Sequence, residues 1–376
     1  MFNMTGPNRQ FSRLGPNNDA VYSVSGIGDT RAMTTKFDAL AAISAAPPAL
    51  GTESVANAIE TQFGLAGEFS PLVSERDQNF LLRTGDGKQY VTKVTSAHED
   101  PAATDFQIGA LLHLEKAQGL LVPRVCRTRE GRPSGELLHN DTRHRLRVVS
   151  WVGGAPLEDR VPDTASVRAF GAALARLDAA LCSYSHPGAS PVLLWDLQRT
   201  PELRGLTANI DDASVRRGVV RAIADYEDGV VPVLADLRSQ VIHGDANPGN
   251  VLIADAGIGF IDFGDMTRAP LIFDVAIACA YLRSFGDDPL EYIVPFIEAY
   301  HSVTQLENEE ADLLFDLVRA RLAATVTLLY WRLAERAEND PYREKTLEKE
   351  SGAERFLARL DSLGRAGFRQ KLACCQ

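Results

Sequence analysis

The chain has 376 residues, 45% hydrophobic and 24% charged, so it is long and apolar enough for two lobes with sizeable cores and is not disordered overall. Its 39 Lys+Arg against 50 Asp+Glu give a formal net charge of −11, which excludes nucleic acid or an anionic membrane surface as the main partner, since both need a basic footprint. The excess is one-sided: residues 1–150 carry 16 charges of each sign, whereas residues 151–376 carry 23 basic and 34 acidic ones. The five cysteines (Cys126, Cys182, Cys279, Cys374 and Cys375) show no paired ligand spacing. A zinc site or disulfide framework is therefore not expected, and the expected compartment is a reducing cytoplasm. No charged-then-apolar signal sequence opens the chain, and the longest apolar stretch, Ala269 to Leu282, is short and interrupted by Asp274. No membrane span is expected.

Residues 1–50, rich in Gly, Asn, Ser, Thr and Ala, read as a poorly ordered leader. Residues 51–152 read as a small lobe. Ser54–Phe63 is a short amphipathic helix with Val55, Ile59 and Phe63 on one face. Strands are expected at Glu68–Ser74, Gln78–Thr84 and Gln89–Thr95, with Gly85-Asp86-Gly87-Lys88 turning the last two into a hairpin. A helix over Ala102–Gln118 follows, then strands at Arg124–Arg129 and Arg145–Val152 and a break at Gly153-Gly154. Residues 153–376 read as a mostly helical larger lobe, with helices at Ser166–Leu181, Ala213–Arg238, Leu290–Ser302 and Asn308–Arg336. The expected fold is thus α+β and bilobal, a small β-rich lobe hinged near Gly153 to a larger helical one.

Chemistry concentrates in Val241–Asp265, VIHGDANPGNVLIADAGIGFIDFGD. Asp245 and Asn250 flank a loop, Val251–Ile253 reads as a buried strand, and a turn at Asp255-Ala256-Gly257 returns the chain to Asp262. Such a hairpin brings Asn250 and Asp262 together, an oxygen-rich corner suited to Mg²⁺. Asp245 is then free to orient and deprotonate a hydroxyl. An Asp, four intervening residues, a metal-binding Asn and a metal-binding Asp before Phe-Gly is the spacing of a kinase catalytic loop, here with His243-Gly244-Asp245 leading it. Beside that loop, His243 is expected to hydrogen-bond backbone, and Asp265 to act as a supporting group or a cap.

These residues, with Ser74-Glu75-Arg76-Asp77-Gln78-Asn79-Phe80, Tyr90-Val91-Thr92-Lys93-Val94 and Trp195-Asp196-Leu197, resemble the aminoglycoside phosphotransferase and hydroxylysine kinase family, the protein-kinase-like enzymes that phosphorylate small-molecule hydroxyls. The resemblance runs from about Val55 to Arg336 and is nearest the hydroxylysine-kinase-like branch. It implies ATP or GTP as donor, Mg²⁺ on Asn250 and Asp262, Asp245 as catalytic base, and Lys93 on the α and β phosphates. In such kinases a helix Glu holds this Lys; here the matching position is Gln107, with Asp105 two residues earlier, and either could face Lys93. No Gly-x-Gly-x-x-Gly is present. The turn around Glu75-Arg76-Asp77-Gln78 is implied to cover the phosphates, with Gln78 and Asn79 among the donor-binding residues, and the hinge Trp151-Val152-Gly153 to meet the base through its backbone. Trp195, Asp196, Tyr330 and Trp331 are the acceptor-site candidates. The implied acceptor is a small amine-bearing molecule, first a hydroxylated amino acid such as 5-hydroxylysine, then an amino alcohol or an aminoglycoside, and the acidic lobe would attract its cationic amine. A nucleotide-binding scaffold without transfer activity is the reading from another class.

Overall fold

The computed structural model describes residues 47–74, 76–335 and 352–373. Most of the expected leader, together with Glu75, Cys374 and Cys375, lies outside the described residues. The small lobe opens with α1 (Thr52–Phe63), which ends on Gly64 in the left-handed region (φ 72°) with its N–H on Glu60 O. A five-stranded antiparallel sheet follows in the order β1-β2-β3-β5-β4, built from Gly67–Leu72, Gln78–Thr84, Gln89–Val94, Gly135–His139 (β4) and Thr142–Ser150 (β5). Side chains alternate across each strand. Phe80, Leu82, Val94, Leu146 and Val148 form one core with Val55, Ile59 and Phe63 of α1. The residues between them face the cleft, beside α2 (Pro101–Leu114), which Asp100 caps through Ala102 N–H.

Two expectations are corrected here. Arg124–Arg129 is not a full strand: Cys126 N–H donates to Val148 O and Arg124 O accepts from Ser150 N–H, both on β5, but β4 takes the rest of that same β5 edge. The helix expected to reach Arg238 stops as α4 (Ala213–Gly229), because Pro232 has no N–H to continue it and a 3₁₀ turn, Val231–Asp236, takes over.

The larger lobe holds α3 (Thr164–Leu181) and α4, then β7 (Ser239–Ile242), the β8–β9 hairpin (Val251–Ala254, Gly257–Phe260) edged by β6 (Ala155–Pro156), and β10 (Thr267–Pro270). Helices α5 (Ile272–Tyr281), α6 (Ile293–His301), α7 (Asn308–Glu335) and α8 (Gly352–Leu372) complete it. Sequence reading missed α5, whose residues are apolar on every side, and α8. The latter buries Phe356, Leu357, Leu360, Phe368 and Leu372, a helical spacing that was open to detection. Its docking is fixed by Arg319 of α7, only 2% exposed, which pairs with Asp225 of α4 and Asp361 of α8. No helix among the described residues is long and apolar enough to cross a membrane.

Candidate active site

The loop after β7 is held by its own backbone. Asp274 of α5, fully buried, accepts His243 N–H and Gly244 N–H at 2.7 Å each. The His243 ring is also committed to backbone: Nδ1 accepts Asp245 N–H at 3.3 Å, so the proton sits on Nε2 and is donated to Ile261 O at 3.1 Å. That second bond ties the loop of Asp245 to the strand leading into Asp262. Gly244 is required where the two segments cross, since its φ is +77° and a Cβ there would lie 2.3 Å from Asp265 O.

Asp245 projects into the cleft with every contact defined. Oδ1 accepts from Arg321 Nη2 at 3.1 Å, and Oδ2 accepts from Asn247 Nδ2 at 2.8 Å and Asn250 Nδ2 at 2.9 Å. Burial, reinforced by the charge of Asp265, pushes its carboxyl up to about 7, with Arg321 pulling the other way. Asp262 behaves oppositely: Lys93, 3.7 Å away, outweighs burial and holds it below the usual carboxylate range. Its side chain is 57% exposed, but toward the cleft, and its backbone is left-handed at φ 59°.

This donor set fits Mg²⁺. The amide nitrogen of Asn250 is held by Asp245, which leaves the amide oxygen as its ligand atom, and Asp262 is kept ionised beside it. No group of three His, Cys, Asp or Glu among the described residues could hold a metal. An ion here would take one carboxylate, one amide and non-protein oxygens, the coordination Mg²⁺ accepts with substrate phosphates and water.

The sheet supplies the facing wall. Asn79, Lys93 and Arg147 are successive cross-strand partners on β2, β3 and β5, so all three point into the cleft. Lys93 pairs with neither residue expected for it. Asp105 is bound by Arg145, and Gln107 is clamped elsewhere, its Oε1 accepting from Arg147 Nη1 at 2.6 Å and its Nε2 donating to Gly264 O at 3.2 Å. Arg147 also binds Asp77 Oδ2 at 2.5 Å and Thr95 Oγ1 at 3.1 Å. Gln107 still lines the cleft. Gln78 does not: one residue before Asn79, it faces the other side of the sheet, where it exchanges two hydrogen bonds with the Leu50 backbone.

Two contiguous cavities meet at Lys93, Asn250 and Asp262. The apolar one, 420 Å³, lies between Val91, Val149, Trp151, Val152, Leu252 and Ile261, a lining that would accept a flat apolar group such as a base. At its rim Trp151 N–H is bonded to Gln89 O, so a base would have to be read through the neighbouring hinge groups. The polar cavity, 400 Å³, contains Asp245, Asp262 and Lys93 and opens toward Trp195, Tyr281, Arg321, Leu328 and Arg332. The charge excess of the larger lobe is not carried into it: Asp77, Glu99, Asp245, Asp262 and Asp265 are matched by Arg76, Lys93, Arg147, Arg321 and Arg332.

Of the expected acceptor residues, Trp195 lines this cavity, while Asp196 caps the 3₁₀ helix Leu197–Asn209. Tyr330 turns to Glu354 of α8 and Trp331 packs on the core. Sequence reasoning missed Arg147 and Arg321. Arg319 and Arg321 were detectable as two cations inside the apolar run of α7, a placement that calls for buried partners.

Comparison with known proteins agrees with this geometry. The model of the phosphotransferase enzyme family matches residues 68–315. Hydroxylysine kinase of Mus musculus is 26% identical over 321 residues, 77% of this chain and 85% of that protein. Homoserine kinase of Nitrobacter winogradskyi is 29% identical over 244 residues, 62% and 69% of the two chains. Among solved structures, an amicoumacin kinase in complex with AMP-PNP and Ca²⁺ superposes with a TM-score of 0.65 at 15% identity, covering 85% of this chain and 97% of its own. A microcompartment-associated aminopropanol kinase gives 0.64 at 20% identity, covering 86% and 100%. The family match runs from β1 into α7 and takes in the sheet, the hinge and the whole of residues 243–265, so this chain belongs to the phosphotransferase enzyme family and is a small-molecule kinase.

Proposed function

We propose that the chain transfers the γ-phosphate of ATP or GTP to a hydroxyl of a small amine-bearing acceptor, first among them a hydroxylated amino acid such as 5-hydroxylysine. The observation that carries this reading is Asp245: a buried carboxylate fixed by Arg321, Asn247 and Asn250, in the cavity that Lys93 and Asp262 also line. The hydroxylysine and homoserine kinases among its relatives support an amino-acid acceptor, and the aminopropanol kinase neighbour supports an amino alcohol.

The donor's base enters the apolar slot and its phosphates lie along Asn79 and Lys93. Asn250 and Asp262 would hold Mg²⁺, whose charge would offset that of the donor's phosphates. Asp245 accepts a hydrogen bond from the acceptor hydroxyl and aims its oxygen at the γ-phosphorus. As the new O–P bond forms and the bond to the β-phosphate oxygen breaks, the hydroxyl proton passes to Asp245 and then to solvent. Most of the rate then comes from alignment and charge stabilisation rather than from basicity.

The test is nucleoside diphosphate release with Mg-ATP and Mg-GTP against 5-hydroxylysine, homoserine, aminopropanol, ethanolamine, choline and an aminoglycoside. Acceptor-dependent release is expected, lowered at least about 100-fold in Asp245→Asn with donor affinity retained. Wild-type turnover in Asp245→Asn would overturn the assignment, and nucleotide binding without release for any acceptor would favour a scaffold.

A further inference from the structure

Arg76 leaves the turn between β1 and β2 and crosses the cleft to the larger lobe. Its Nη2 donates to Asp265 Oδ1 at 2.5 Å, and its guanidinium lies over the Trp195 ring, 5.5 Å from the centroid. What it occupies is a prepared cation seat, a carboxylate on one side and an indole face on the other. Both walls of the seat belong to the larger lobe: Asp265 stands where its backbone crosses Gly244 closely, and the Trp195 carbonyl accepts from Arg321 Nη1 at 2.9 Å. Only the occupant belongs to the other lobe, on a turn rather than on a strand.

The seat also lies beside the base. The Arg321 guanidinium that holds Trp195 O donates through its other terminal nitrogen to Asp245 Oδ1. One planar group therefore spans the indole residue and the carboxylate expected to receive the acceptor hydroxyl. A cation placed where Arg76 now sits would carry a hydroxyl a few bonds away to Asp245.

We infer that the space between Asp265 and Trp195 is the acceptor's ammonium subsite, and that Arg76 is its resident stand-in, displaced when the acceptor binds. The inference rests on the kinase reading above and narrows it to acceptors whose amine and hydroxyl are separated by few bonds, as in amino alcohols and hydroxylated amino acids. A displaced Arg76 stays within the cavity lined by Lys93 and Asp262. Its charge then becomes available to the transferring phosphoryl group, where phosphoryl transfer needs it. Acceptor binding thereby recruits a cation to the donor.

The experiment is calorimetric titration of the full chain, without nucleotide, with 1-aminopropan-2-ol and with 5-hydroxylysine, and with propan-2-ol as the neutral control. If Arg76 fills the seat about nine-tenths of the time, emptying it tightens the apparent affinity for a competing amine about tenfold. Arg76→Gln should therefore bind both amines about tenfold tighter than wild type, with no change for propan-2-ol. Asp265→Asn and Trp195→Leu should each weaken amine binding about tenfold, with unfolding midpoints recorded to exclude collapsed variants. Amine binding in Arg76→Gln no tighter than wild type, or unaffected by both seat substitutions, or absent in every form, overturns the inference. Mg-ATP titration of the same proteins separates the two levels: retained nucleotide binding with an indifferent seat fails the subsite alone, whereas no nucleotide binding by wild type fails the kinase reading.

Discussion

Gly244→Ala tests whether the site depends on how closely its two loops approach. Two costs attach to a Cβ at this position. A left-handed backbone (φ +77°) costs an alanine about 1–2 kcal/mol relative to glycine. The second cost is contact, since the Cβ would stand 2.3 Å from Asp265 O, backbone on a segment that cannot swing aside like a side-chain tip. Restoring ordinary van der Waals separation moves the Asp245 loop away from the Asp262–Asp265 loop by about 1 Å, and a misplacement of that size costs about 100-fold in rate. Gly87→Ala is the matched control, with φ +81° and nothing within 4 Å of the added Cβ. Urea unfolding should show both variants destabilised by about 1–2 kcal/mol, with Gly244→Ala the worse. In the diphosphate-release assay kcat should fall about 100-fold in Gly244→Ala and stay unchanged in Gly87→Ala. A Gly244→Ala enzyme within threefold of wild type would refute the claim that this crossing sets the catalytic geometry.

Two further outcomes follow from the buried polar groups. Arg147→Met removes the cation that holds Gln107 and Asp77 without touching Lys93. The nucleotide KM should rise about tenfold and more than kcat falls; an unchanged nucleotide KM would show that the clamp has no part in donor binding. Asp178, fully buried, receives the Tyr300 hydroxyl at 2.7 Å and lies against Asp274, so burial first and then the Asp274 charge raise its carboxyl well above the ordinary value. Among the described residues no other group donates to its Oδ1, and a proton on it, given to Asp274, satisfies the pair. The folded state thus keeps a proton that the unfolded chain loses near pH 4, and wild-type stability from this group declines as pH rises above that point, by up to about 1.4 kcal/mol per unit. Asp178→Asn carries the equivalent N–H permanently. Its unfolding free energy should gain on wild type as pH rises above about 4, and parallel curves would contradict the shared proton.

That Asp245, Asn250 and Asp262 share one cleft was legible because their placement is local in sequence: one hairpin, whose turn and strands can be read directly, brings them together. The alternating strands of the small lobe were legible for the same reason. Arg147 was hidden because its role depends on β3 and β5 being neighbours in register, a pairing across more than fifty residues. Gln78 was misplaced by a single position, and in a strand one position is the opposite face of the sheet. Tyr330 and Trp331 looked like acceptor residues by type. On α7, however, the cleft-facing turn positions are Arg321, Thr325, Leu328 and Arg332, and Tyr330 is drawn to a helix that had not been anticipated. Charge summed over a lobe was a poor guide to its cavity because most ionised side chains sit on the solvated face.

The Lys93 neighbourhood shows how the small lobe is linked to its helix without the acidic partner usual in kinases. A Glu on α2 would sit opposite two cations, since Arg147 is the direct cross-strand partner of Lys93. Neutral Gln107 instead takes one hydrogen bond from Arg147 and gives one to Gly264 O, so strand β5, helix α2 and the loop after Asp262 are joined through a single amide. Asp77 balances the charge of Arg147, and Lys93 is left facing Asp262 at 3.7 Å. A separation that long is weaker than a direct hydrogen bond, so the pair is a loose one. The helix is held by an arginine and an amide, and the lysine keeps Asp262 as its ion-pair partner.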